Sequence, residues 1–203
     1  MQSRIRLDRV IDLADRAVIL LLYVSAFVRF RPAWLINPWY IFIMVEMTLM
    51  VGFTVFRRWG PITTRVYPVA LGFFGTVFLL VITPTGLRPD RAEIGGMVMA
   101  IGSVLSVIGA LALNRRFGIV PANRGVQDKG PYAIIRHPVY TGYVITYSAF
   151  LFTNPTLWTF AAYVGFFTLL LLRAVEEEKF LSEDPAYVSY RQRVKYRVIP
   201  GLF

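Results

Sequence analysis

The sequence predicts an all-α protein: a polytopic integral membrane helical bundle of about six transmembrane helices, with both termini in the cytoplasm. Three observations predict it. Of the 203 residues 56% are hydrophobic, above the roughly 45–50% typical of soluble domains. The apolar residues gather in stretches close to the ~20 that a spanning helix needs. Basic residues fall on alternate connections, as they do when positive loops stay in the cytoplasm.

The first apolar stretch, 10–30, carries Asp12, Asp15 and Arg16 in its opening turns. It follows a basic, amphipathic lead-in without a small-residue cleavage site, and so reads as a retained first helix. A short turn is expected at 32–37. Residues 38–56 form the second span, apolar apart from Glu46. A carboxylate at membrane depth faces a bundle interior or a polar cavity. For Glu46 a structural hydrogen bond to a neighbouring helix is the expected role, with a functional one open beside it.

Gly60-Pro61 breaks the chain between Arg57, Arg58 and Arg65, and 66–83 gives an uncharged third span ending at Pro84-Thr85-Gly86. The fourth, 94–113, is rich in Gly, Ala and Ser. Small residues let helix backbones approach closely in lipid, where packing drives association, so this helix is expected to be central.

After a polar, basic connection at 114–137, no charge occurs for 35 residues, 138–172. As one helix this run would be about 52 Å long at 1.5 Å per residue, against a hydrocarbon core of about 30 Å. A fold-back near Thr153-Asn154-Pro155-Thr156 would divide it into a short fifth and a full sixth span; one long kinked helix is the alternative. The composition then switches at Arg173 to a polar extension with Glu176, Glu177 and Glu178, followed by an amphipathic, interfacial tail in which Tyr187, Tyr190 and the arginines are expected to be membrane anchors.

Eighteen of the 22 Lys and Arg lie in the N-terminal segment, the connections around Arg57 and Arg115, and the tail. Only Arg29, Arg31, Arg88 and Arg91 lie on the opposite side. The connection at 114–137 is therefore expected on the cytoplasmic face. The net charge of +10 is spread between apolar runs and forms no stripe on a polar domain, which points to anionic membrane lipids and away from nucleic acid. Two parts are expected: a four-helix membrane part at 1–113, and a catalytic core at 114–203.

With no cysteine and one histidine, His137, neither a zinc site nor a thiolate nucleophile is expected. Residues 128–142 read Asp-Lys-Gly-Pro-Tyr-Ala-Ile-Ile-Arg-His-Pro-Val-Tyr-Thr-Gly. No Gly-x-Ser-x-Gly partners the histidine, and no phosphate-binding Gly-Lys-Ser/Thr follows. What remains is a polar pocket at the membrane face between this stretch and the Arg173–Glu178 turns, with rings, a cation and adjacent carboxylates. An adenine, ribose hydroxyls, amino-acid groups and a sulfonium would suit that inventory.

Gly130-Pro131-Tyr132, Arg136-His137-Pro138-x-Tyr140-x-Gly142, Arg173-x-x-x-Glu177-Glu178 and Tyr187-x-x-Tyr190 together resemble the isoprenylcysteine carboxyl methyltransferase family, within a wider group that includes phospholipid methyltransferases. The closing Arg-Val-Ile-Pro-Gly-Leu-Phe resembles bacterial members. The likeness covers the chain from Asn114 onward. It implies S-adenosylmethionine as cofactor, a lipophilic substrate entering from the bilayer, and a bacterial inner-membrane enzyme with a cytoplasmic site. It implies cofactor binding by Tyr132, His137, Pro138, Tyr140 and Glu178; backbone groups near Gly130 are expected to read the base edge, and Arg136 is expected either at the cofactor or as a positive-inside anchor. Arg173 and Glu177 are implied near methyl transfer, to the carboxyl oxygen of an isoprenylcysteine-like group or to an amine or sulfur of a phospholipid or small molecule. Asp128-Lys129-Gly130 departs from the Ser-His-Gly of some eukaryotic relatives, which bears on the acceptor. A nicotinamide-dependent reductase of the sterol type and a non-enzymatic membrane protein stand as alternatives, and the oligomeric state is left open.

Overall fold

A computed structural model describes residues 2–63, 65–81, 84–118 and 120–202, with the backbone alone at 2–8 and 77–81. The expected end of the third span at Thr83 and the side chains of Arg4 and Arg6 lie outside the described residues. Among the described residues seven α-helices follow in order: α1 (Gln2–Ile36), α2 (Tyr40–Val55), α3 (Val66–Val81), α4 (Ala92–Leu113), α5 (Pro138–Thr153), α6 (Leu157–Leu181) and α7 (Pro185–Arg193). Among the described residues the only β pairing is two isolated bridges, Ile62 with Ala122 and Ile135 with Tyr196. Two helical stretches among the described residues, Pro89–Arg116 and Leu157–Leu181, are long and apolar enough to cross a membrane; Tyr40–Val55 and Val66–Thr76 are apolar but shorter.

The turn expected at 32–37 is mostly helix, because α1 runs through Pro32 to Ile36. Proline removes one N–H and crowds the carbonyl four residues back, which kinks a helix without always ending it. Asn37 makes the break: its backbone N–H still donates to Ala33 O at 2.9 Å, but its Oδ1 turns forward to accept from the Trp39 N–H at 3.2 Å.

The uncharged run is a hairpin. Buried Asn154 donates from Nδ2 to Phe150 O at 3.1 Å and Thr153 Oγ1 at 2.9 Å, closing α5. Thr156 Oγ1 accepts from the Thr159 N–H at 3.0 Å and caps α6. The return of α6 brings its polar end back beside the start of α5.

Helix α4 is central, as its small residues predict. It packs most extensively on α5 and also on α2. A Cβ on Gly102 would lie 2.5 Å from the Thr146 backbone N and 2.9 Å from Gly142 O, while one on Gly142 would lie 2.6 Å from Gly102 O. The two backbones thus touch where neither residue has a side chain. Tyr40, Phe150, Tyr163, Phe166 and Met99 fill the adjoining core.

The acidic turns of α1 have partners. Arg57 is buried and bonds Asp12 at 2.6 Å and also Asp15; Arg16 bonds Asp12 at 2.9 Å. Arg124, from the 114–137 connection, lies 3.9 Å from Asp12 and donates to Arg58 O at 2.9 Å. Burial, then the neighbouring Arg57 charge, pushes the Arg124 guanidinium down to about 10, which leaves it charged at neutral pH. These charges hold α1 and both connections at one end of the bundle.

Candidate functional site

At that end, α5 begins where α6 turns polar. Pro138 is the first residue of α5, a position where its missing N–H costs nothing. The side chain of His137, just before it, makes no capping bond and turns toward α6. Glu177 and Glu178 are successive residues of α6 about 100° apart around the helix, and each meets a different set of groups.

Glu178 is 2% exposed and surrounded by donors. Its Oε1 accepts from Arg136 Nε at 2.7 Å and faces His137 Nε2 at 3.1 Å. Its Oε2 accepts from Arg197 Nε at 3.0 Å and Arg136 Nη2 at 3.3 Å. A carboxylate can only accept, so Nε2 carries the imidazole hydrogen in this pairing. Arg136 Nη1 donates onward to Val194 O at 2.7 Å and Lys195 O at 2.8 Å. The backbone N–H groups of Arg136 and His137 donate to Tyr196 O and Arg197 O at 2.9 and 2.8 Å. The tail is thereby pinned along residues 135–137, and Glu178 neutralises the cations that pin it.

Glu177 faces the other way. Its Oε2 accepts from the Tyr140 hydroxyl at 2.9 Å. The Tyr140 ring stacks on His137 with centroids 5.1 Å apart, and the Arg173 guanidinium lies 5.6 Å from its centre. Arg173 Nη2 donates to Gly118 O at 3.1 Å.

These groups border a half-open polar cleft with about 800 Å3 of empty space including its mouth. From the predicted set it brings together Tyr132, Arg136, His137, Tyr140, Arg173 and Glu177. Gly130, Pro138 and Glu178 are not in the lining: Gly130 opens a 3-10 turn with φ +62°, Pro138 starts α5, and Glu178 braces the wall from behind.

The sequence reading missed Tyr187 and Tyr190. Expected as interfacial anchors, both are buried within the protein and line the cleft; the Tyr190 hydroxyl donates to Tyr132 O at 2.8 Å. Arg197, also expected as an anchor, binds Glu178. Two signals pointed to the tyrosines: their three-residue spacing, one helical turn, and their place in the motif that carries the family resemblance. Arg116, Phe117 and Gln127 also line the cleft, and no sequence signal marks them. Burial pushes the hydroxyls of Tyr132, Tyr187 and Tyr190 up from their ordinary value, so all three stay protonated and able to donate at neutral pH.

A second, mostly apolar cavity with about 860 Å3 of empty space lies deeper, among α1, α2, α3, α5 and α6. Phe117, Tyr140 and Arg173 line both spaces.

The model of the phospholipid methyltransferase family matches residues 91–185, just under half of the chain. The match begins at the start of α4 and ends at the first residue of α7. It implies a methyltransferase and, with the two long apolar helices, association with a membrane. No curated protein matches the chain significantly.

Proposed function

We propose that this chain is an integral membrane methyltransferase dependent on S-adenosylmethionine and acting on a lipophilic acceptor. In this reading six helices span a bacterial inner membrane, both termini and the cleft face the cytoplasm, and residues 114–203 carry the cofactor site. The observation that carries the proposal is the contact between a polar cleft and an apolar cavity at Phe117, Tyr140 and Arg173. A transferase joining a water-soluble cofactor to a lipophilic acceptor needs two such compartments with one shared wall.

The cleft suits the cofactor. The rings of Tyr132, Tyr187 and Tyr190 offer faces to a purine, Glu177 can accept from hydroxyl or ammonium groups, and Arg116 and Arg124 can take a carboxylate. When bound, S-adenosylmethionine supplies a methyl group on a positively charged sulfur. The chain's part is positioning and exclusion of water. Tyr140, held by Glu177 and His137, fixes the partition between the two compartments. Arg173 is held at the same partition by Gly118 O, and its buried Nε has no partner among the described residues. That N–H can take an acceptor oxygen, such as the carboxylate of an isoprenylcysteine-like group; an amine of phospholipid kind is the other acceptor chemistry.

Calorimetry with S-adenosylhomocysteine on the detergent-purified protein tests the cofactor half. Binding is expected, and Tyr187→Ala should weaken it about tenfold, one stacking face being worth about 1–3 kcal/mol by analogy with base stacking elsewhere. Absence of binding in several detergents and in lipid nanodiscs would overturn the proposal.

A further inference from the structure

Glu46 lies outside the matched segment, on α2, and lines the apolar cavity. It is 1% exposed. Its Oε2 accepts from Ser103 Oγ at 2.8 Å, which ties α2 to α4. Its Oε1 is buried and has no hydrogen-bond partner among the described residues; the Ser106 hydroxyl near the same carboxylate donates instead to Val139 O at 3.3 Å. A helix tie needs only the first oxygen. The second is an acceptor left unmet where unmet polar groups cost most.

The surroundings say what would meet it. Tyr143 and Tyr147, on successive turns of α5, line the same cavity, and their ring centroids are 6.0 Å apart. Met47, Met50, Leu22, Phe166 and Leu170 supply an apolar lining. A carboxylate oxygen beside aromatic rings in an apolar chamber suits an amine: its N–H meets Oε1, its charge offsets that of the carboxylate, and the ring faces attract a cation. A hydroxyl would bring only a neutral hydrogen bond, and a carboxylate would be drawn to Arg173 at the shared wall and not to Glu46.

We infer that Glu46 is the specificity-determining residue of the acceptor cavity, reading an N–H-bearing, amine-type group on the polar end of a lipophilic molecule. The inference rests on the methyltransferase reading for the cavity's purpose, but its geometry is independent of the cofactor cleft.

The test uses the full chain in phosphatidylcholine nanodiscs with three twelve-carbon probes: dodecylamine, dodecanol and dodecanoate. Thermal unfolding midpoints are recorded across probe concentration, with S-adenosylhomocysteine titrated separately. Dodecylamine is expected to raise the midpoint through Glu46 and dodecanol to leave it unchanged, while any response to dodecanoate, which Arg173 can take, should not depend on Glu46. Glu46→Gln keeps an acceptor for Ser103 and should need at least tenfold more amine for the same shift. Glu46→Asp keeps the charge and should retain most of the response, and Ser103→Ala, which removes the tie to Glu46 and a 3.4 Å contact with Thr146 Oγ1, should respond like the parent. An equal amine response in the parent and Glu46→Gln would overturn the inference, as would no amine response in the parent or equal responses to all three probes. Failure of S-adenosylhomocysteine to bind while the amine response depends on Glu46 would instead overturn the cofactor reading and leave Glu46 as an amine site.

Discussion

Glu177 and Glu178 show how much a single step along a helix decides. Glu178 meets Arg136, His137 and Arg197 and is buried, so its work is to neutralise cations that would otherwise be stranded. Removing one partner of a buried ion pair costs about 3–5 kcal/mol because the other charge is left behind. Glu178→Ala is therefore expected to lower the thermal midpoint sharply and to weaken S-adenosylhomocysteine through loss of the wall, since Arg136 itself lines the cleft. Glu177→Ala removes the acceptor of the Tyr140 hydroxyl and a carboxylate charge near Arg173 and Arg124, but it breaks none of the close ion pairs that Glu178 makes, so it should lower the midpoint by less than Glu178→Ala while weakening the cofactor. Equal thermal losses in the two variants would contradict this division. Glu176, the third carboxylate of the run, pairs with the exposed Lys179 at 2.5 Å and is expected to be neutral in both measurements.

At the scale of elements, the α4–α5 contact sets the frame of the site, because α5 carries Tyr140 and follows directly from His137. Gly102→Ala would place a methyl against the Thr146 backbone N and Gly142 O, and a backbone cannot move aside as a side-chain tip can. A destabilisation of about 1–3 kcal/mol is expected, read as a fall in thermal midpoint. Gly52, on α2, has nothing within 4 Å of its Cβ position, so Gly52→Ala should be neutral or stabilise by about 0.5–1 kcal/mol through helix propensity. Helix α7 and the 3-10 turn give a second prediction. Burial raises Tyr132, Tyr187 and Tyr190 above the ordinary tyrosine value of 10.0. A group whose folded value is raised contributes stability in full below its unfolded value and loses it as pH rises toward the folded one. Thermal stability and S-adenosylhomocysteine affinity should therefore be flat through neutral pH and fall above pH about 10, together with tyrosinate absorbance; Tyr187→Phe should blunt the fall. Much of this architecture was legible. The glycines announced the central helix, the 35 uncharged residues with Asn-Pro inside them announced the hairpin, and the charge switch at Arg173 announced the returning wall. What composition could not show was pairing across the fold: that Asp12 and Asp15 answer Arg57, that Asn37 rather than Pro32 ends α1, or that the tail tyrosines turn inward once Arg136 has captured Val194 O and Lys195 O.

Over the whole molecule the residues that line the cleft are concentrated in the matched segment 91–185 and the tail, whereas the apolar cavity draws much of its lining from α1, α2 and α3, which precede that segment. In the proposed reading, one cleft would serve different acceptors as the first three helices change. This separation makes the two compartments independently breakable. Leu22, on α1, lines the apolar cavity and not the cleft; Ala122, on the 114–137 connection, lines the cleft and not the cavity. Leu22→Trp adds bulk to the apolar cavity, so S-adenosylhomocysteine affinity should stay within twofold of the parent while the amine-dependent thermal shift is lost. Ala122→Trp should do the reverse, losing cofactor affinity and keeping the amine shift. If each substitution abolished both responses while the proteins stayed folded, the two spaces would be one site and the shared partition at Phe117, Tyr140 and Arg173 would not divide them. If the pattern crosses as expected, the partition is the place where the two reactants meet, and Tyr140→Ala, which opens it, should lower methyl transfer by more than it lowers either binding.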